Sequence, residues 1–127
     1  MNAPTVPDLV VVDSTPLEAD VLKVLVERFF GDMVKYVVDI DRGIAAVGGE
    51  LHADAESLLI ARGSRQQDLW GANYYPGLGP AECIEYTSLI NIRPARGNRT
   101  MVIEDDAIRA AVRTITHRLI GVGAPLP

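Results

Sequence analysis

Apolar residues come in short blocks along the chain, set apart by glycine, proline and acidic residues. The spacing inside each block names an element. Leu9–Val12 is a run of four apolar, mostly β-branched residues between Asp8 and Asp13, the pattern of a short strand. A helix start follows, with Thr15 as N-cap, Pro16 in the first helical position and Glu18 completing a capping box. This helix is expected to run to about Phe30 and end at Gly31. Asp20, Lys23 and Glu27 share one narrow face and apolar residues cover most of the rest, so the helix should be heavily buried. Residues 33–40 and 43–51 read as strands joined by the turn formers Asp39-Ile40-Asp41-Arg42-Gly43, hence as an antiparallel hairpin. Gly48-Gly49 in the second strand marks a bulge or a close backbone approach.

A second helix is expected over 53–62, with Asp54 and Glu56 in its first turn and Gly63 after its end. Residues 66–75 and 83–93 read as two more strands around the loop Pro76-Gly77-Leu78-Gly79-Pro80. The later one has the clearest alternation in the chain, with Ile84, Tyr86 and their even-numbered successors facing one way and Cys83, Glu85 and the odd-numbered ones the other. A short strand is also open to residues 100–103. Ile108, Ala111, Val112, Ile115 and Leu119 form the apolar stripe of a last helix over 105–120, closed by Gly121. The order is β-α-β-β-α-β-β-α. It predicts an α+β two-layer sandwich, a mostly antiparallel sheet of four to six strands with about three helices. The first strand has the option of pairing in parallel across its crossover helix. Residues 8–121 read as a single compact domain, 1–7 as a loose leader and 122–127 as a loose tail.

Composition narrows the function classes. The chain has 127 residues, 48% of them hydrophobic, which suffices for one real core and is too apolar for a disordered tail. A net charge of −5 argues against nucleic acid as a general partner. That charge is uneven, at −7 over residues 1–60 and +2 over 61–127. Ten of the twelve cations are arginine, whose planar fork suits carboxylate or phosphate. Cys83, the sole cysteine, reads as a buried structural thiol. No apolar run approaches the roughly 18 residues of a membrane span and no signal pattern opens the chain, so the expectation is no membrane partner and a cytoplasmic location.

Three clusters carry candidate chemistry. In an extended segment, Glu50, His52 and Asp54 point to one face and offer oxygen and nitrogen ligands to a divalent metal, with Asp39 and Asp41 on the neighbouring hairpin. No other cofactor is evident. His117 falls opposite the apolar stripe of its helix and is expected in solvent. The second cluster is the local positive maximum. Asn91, Arg93, Arg96, Asn98 and Arg99 place arginine forks and amide donors around Gly97, a combination able to recognise a small anion. It lacks the Gly-x-x-x-x-Gly-Lys spacing of a phosphate loop. The third holds the pocket candidates Asp68, Trp70 and Asn73, in a region with four of the seven aromatics, where Gly71 suggests a close backbone approach. These aromatics and a free sheet edge leave a homodimer open.

Four stretches together resemble a known family. They are Gly31-Asp32-Met33-Val34-Lys35 leading into Val37-Val38-Asp39-Ile40, then Gly48-Gly49-Glu50-Leu51-His52-Ala53-Asp54. The others are Gly63-Ser64 with Gln67-Asp68-Leu69-Trp70-Gly71 and Asn73, and Ile90-Asn91-Ile92-Arg93-Pro94 with Gly97-Asn98-Arg99. Over about residues 20–120 the chain is similar to an uncharacterised family of small bacterial proteins, catalogued as a domain of unknown function. The resemblance implies a bacterial cytosolic source and a compact domain, and brings no activity, ligand or catalytic residue. The segments at both ends depart from the family's plainer form. Two functions therefore stay open: a binding or interaction module using the arginine-rich loop on a small anion or a protein partner, and a small metal-assisted hydrolase using the Glu-x-His-x-Asp cluster.

Overall fold

The computed structural model describes residues 5–127. Five strands form: β1 (Leu9–Val12), β2 (Val34–Asp39), β3 (Ile44–Gly48), β4 (Leu69–Tyr74) and β5 (Ile84–Glu85). Three α-helices, α1 (Ala19–Phe29), α2 (His52–Ala61) and α3 (Asp106–Leu119), complete the β-α-β-β-α-β-β-α order. The α+β class and the antiparallel sheet are as expected. The strand order is β1-β3-β2-β4-β5, and every pairing is antiparallel. The parallel option for β1 is thus overturned. Its chain returns to the far side of the hairpin and pairs with β3, Val10 opposite Val47.

Strand alternation sends side chains to both faces of the sheet, and both are covered. Val34, Tyr36 and Val38 of β2 join Trp70, Ala72 and Tyr74 of β4 in a core under α1 and α3. Val37, Ala46 and Leu69 point the other way, onto Ala55 and Leu59 of α2. A short third layer is thereby added to the two expected from sequence. One buried polar thread crosses the larger core: Tyr36 Oη bonds Thr116 Oγ1 at 2.7 Å, which in turn donates to the Val112 carbonyl.

The departures from expectation have local causes. Helix α1 begins at Ala19, without the Thr15 capping box, because the Leu17 N–H is spent on the Leu119 carbonyl at 2.8 Å and residues before it stay non-helical. Only Leu22, Leu25 and Val26 of α1 are fully buried, since it packs against the sheet along one stripe. At β4 the chain first makes a 3-10 turn over Gln66–Asp68. The tail is not loose. Gly123 N–H donates to Tyr74 Oη, the Gly123 carbonyl accepts from Gly77 and Gly79, and Leu126 packs on the core. Of the leader, residues 1–4 lie outside the described residues, while Val6 packs on the core and its carbonyl accepts from Arg28. Gly48 is the close approach expected, because a Cβ there would collide with the Asp8 carbonyl. Cys83 is buried as expected, and burial pushes its thiol pKa up. His117 is half-buried rather than in solvent, with Nε2 enclosed and unpartnered.

The largest difference is β5. The alternating stretch 83–93 pairs as a strand only at Ile84 and Glu85, then turns through 3-10 segments at Leu89–Asn91 and Pro94–Arg96. The fully buried Asn91 side chain takes over where β5 leaves. Its Oδ1 accepts from Gly71 N–H at 2.8 Å and its Nδ2 donates to the Gly71 carbonyl at 2.9 Å. One side-chain amide thus satisfies the β4 edge in place of a backbone neighbour. The 100–103 segment contributes a single bridge, Thr87 to Val102.

Candidate functional site

Three polar residues lie side by side on the sheet face that carries α2. Register places Lys35 of β2 opposite Asn73 of β4, and Asn73 opposite Glu85 of β5. Paired residues share a face, so the three form a row across the strands. His52, the first residue of α2, comes down beside this row with Nε2 at 2.8 Å from the Ala72 carbonyl. A carbonyl only accepts, so Nε2 carries the proton and Nδ1 is left as the acceptor of the neutral ring. Gly71 makes room for this approach. A Cβ there would stand 2.6 Å from Ser88 Cβ and 3.1 Å from His52 Cδ2.

Around these groups lies a cavity of about 380 Å³. Lys35, His52, Asn73, Thr87 and Ser88 supply its polar lining, and Leu51, Leu89, Ile90 and Met101 its apolar walls. A few convergent polar groups on mostly apolar walls are the usual make-up of a small-molecule site. Burial pushes the His52 pKa below its ordinary value and Lys35 adds to this, while the Ala72 carbonyl, Asn73 and Glu85 pull part of the way back. Asn73 Nδ2 donates to Glu85 Oε1 at 2.7 Å, while its buried Oδ1 lies near enough to the His52 ring to favour its protonated form but completes no hydrogen bond. Helix α2 begins at this wall, and its N-cap, Leu51, offers no side-chain acceptor to the first N–H groups. Lys35, whose Nζ lies 5.1 Å from the Phe30 ring centroid, is in none of the ion pairs found among the described residues.

The sequence candidates divide. His52 and Asn73 come together here, but the extended face that was to gather Glu50, His52 and Asp54 does not form. His52 opens a helix, its Nε2 is committed inward, and Glu50 and Asp54 are exposed. Among the described residues, no three His, Cys, Asp or Glu side chains lie close enough to hold a metal ion.

In the arginine-rich loop, Asn91 and Asn98 serve the backbone. Asn98 Nδ2 reaches the carbonyls of Asn91, Thr100 and Val102, and its Oδ1 accepts from Glu104 N–H. Arg93 bridges to Glu56 at 3.2 Å, with its guanidinium carbon 4.9 Å from the Trp70 ring centroid. It therefore ties the β4 edge to α2. Arg96 and Arg99 are exposed. Asp68 pairs with Arg65 at 3.2 Å, and Trp70 is fully buried in the core. That burial leaves Trp70 no part in a stacking platform or a dimer face.

Lys35, Glu85 and Ser88 belong to this site and were missed. Lys35 had a signal, as the one charge inside the apolar run Met33–Val38. Ser88 had none, since its role follows from Gly71 across the sheet.

Fold and cavity together define a small α+β domain with a ligand-sized recess where α2 meets the end of the sheet. Residues 11–119 match the family described as a protein of unknown function, DUF5674, and the chain belongs to it. No curated protein and no solved structure matches the chain. No helix among the described residues is long and apolar enough to cross a membrane.

Proposed function

We propose that this chain is a binding module for a small organic acid that carries an additional hydrogen-bond donor. One observation carries the reading. Lys35, the uncapped start of α2 and the buried, unpartnered Asn73 Oδ1 converge on one cavity of about 380 Å³. The lysine and the helix N-terminus favour a carboxylate. Asn73 Oδ1 asks for an N–H or O–H, as an amino or hydroxyl substituent would supply. Leu51, Leu89, Ile90 and Met101 suit a short aliphatic or aromatic body. Binding is preferred over metal-assisted hydrolysis because His52 spends Nε2 on the Ala72 carbonyl and its two carboxylate neighbours in sequence are exposed. Lys35 is preferred over the arginine-rich loop for the anion contact because Asn91 and Asn98 spend their amides on backbone groups and Arg93 holds Glu56 through Nη2, leaving its Nη1 unpartnered at a separate recess.

A thermal-shift panel of 2-amino and 2-hydroxy acids tests it. A ligand at about 100 times its Kd stabilises the fold by about 2.7 kcal/mol. Matched amides and decarboxylated analogues should give no shift. A panel with no member that raises Tm at millimolar concentration would rule the reading out.

A further inference from the structure

A second and larger cavity, about 970 Å³, lies on the other side of β5; among the described residues Thr87 lines both, and Glu85, which holds Asn73 of the first site, lines this one. Two arginines one helical turn apart on α3 reach into it and brace one aromatic ring. Arg109 stacks its guanidinium carbon 4.4 Å from the Tyr86 ring centroid, and Arg113 Nε donates to Tyr86 Oη at 3.2 Å. Neither is among the ion pairs of the described residues, although the chain has 17 acidic side chains to choose from. Arg109 Nε is buried without a partner. Stacking and the tyrosine hydroxyl fix both planes while leaving most of their donors unspent, which is how a prepaid anion clamp is built. Two carboxylates, Glu82 and Glu85, line the same cavity; Glu85 Oε1 already accepts from Asn73 Nδ2 and Tyr75 Oη, and Glu82 is exposed to water. Leu78, Pro80, Ile84 and Val102 add apolar wall beside the arginines.

We infer that Arg109 and Arg113 form a second binding site, for the phosphate of a small phosphomonoester whose organic part rests on that apolar wall. Two guanidiniums match the charge of about −1.5 to −2 on a phosphate monoester better than the single charge of a carboxylate. The proposal does not depend on the Lys35 cavity.

The probes are phenyl phosphate, inorganic phosphate and benzoate, titrated while the arginine Nε–Hε signals are followed by NMR. Phenyl phosphate should move the Arg109 and Arg113 signals first and bind at least fivefold tighter than either other probe. Arg113→Gln, at an exposed position, should weaken it at least tenfold with Tm unchanged, and Lys35→Met should leave it intact. Equal binding of phenyl phosphate and inorganic phosphate would overturn the proposal. So would shifts spread over Arg96, Arg99 and the other exposed arginines, or an Arg113→Gln protein that binds like the parent.

Discussion

Replacing Asn91 with alanine separates a structural amide from an anion ligand. The side chain is fully buried and makes three hydrogen bonds: from Gly71 N–H, to the Gly71 carbonyl, and to the Met101 carbonyl at 3.1 Å. Alanine removes all three. Both Gly71 groups then stay buried with no partner, at about 1–3 kcal/mol each. The Met101 carbonyl is only part-buried and regains water, so it adds little. The expected loss is therefore about 2–6 kcal/mol, a large share of the roughly 5–15 kcal/mol that holds a domain of this size. Urea denaturation followed by circular dichroism measures it, with a lower midpoint and an unchanged slope. Arg96→Ala, on the same loop but exposed, should stay within about 0.5 kcal/mol of the parent. A loss below about 1 kcal/mol for Asn91→Ala would refute the reasoning, because the β4 edge would then not rely on that amide.

Three further outcomes follow from the same geometry. Gly71→Ala should cost about 1–3 kcal/mol in the same urea assay, since its Cβ would press on Ser88 Cβ and His52 Cδ2. His52 is held neutral, its folded pKa below the unfolded value of about 6.5. The unfolded chain then binds the extra proton first, so the His52 contribution is complete above about pH 6.5 and is lost as pH falls toward the folded value. Stability curves of the parent and of His52→Gln should converge on acidification through that window, and parallel curves would contradict the assignment. Asp105→Ala removes the N-cap of α3, whose Oδ1 accepts from Ala107 and Ile108 N–H, and should lower stability by about 1 kcal/mol in thermal melts.

Much of the fold was legible because period is a local property. The hairpin of β2 and β3, the apolar stripe of α3 and the Asp105 start all follow from neighbouring residues. What failed was decided by distant partners. The Thr15 capping box lost to a bond between Leu17 and Leu119, about a hundred residues away in sequence. The alternation of 83–93 is equally that of a strand and of an extended loop, and the Asn91 amide selected the loop. The candidate site divided in the same way. His52 stood out as a ligand between Glu50 and Asp54, and Asn73 as a polar residue in an aromatic-rich stretch; the two meet at one cavity, without the two carboxylates. Asn98 stood out as an amide donor of an anion-binding loop, yet its amide is consumed by backbone carbonyls. Arg109 and Arg113 sit on the polar side of an amphipathic helix, where sequence offers nothing to tell a clamp from a solvated surface.

Calorimetric titration of the parent and of Lys35→Met, with the acid that gives the largest thermal shift, tests the binding claim most directly. Methionine keeps most of the lysine stem and removes only the charge. The account predicts saturable one-to-one binding to the parent and at least tenfold weaker binding to Lys35→Met, about 1.4 kcal/mol, at unchanged Tm. Equal affinity for the two proteins, or no heat with any acid of the panel, would contradict it.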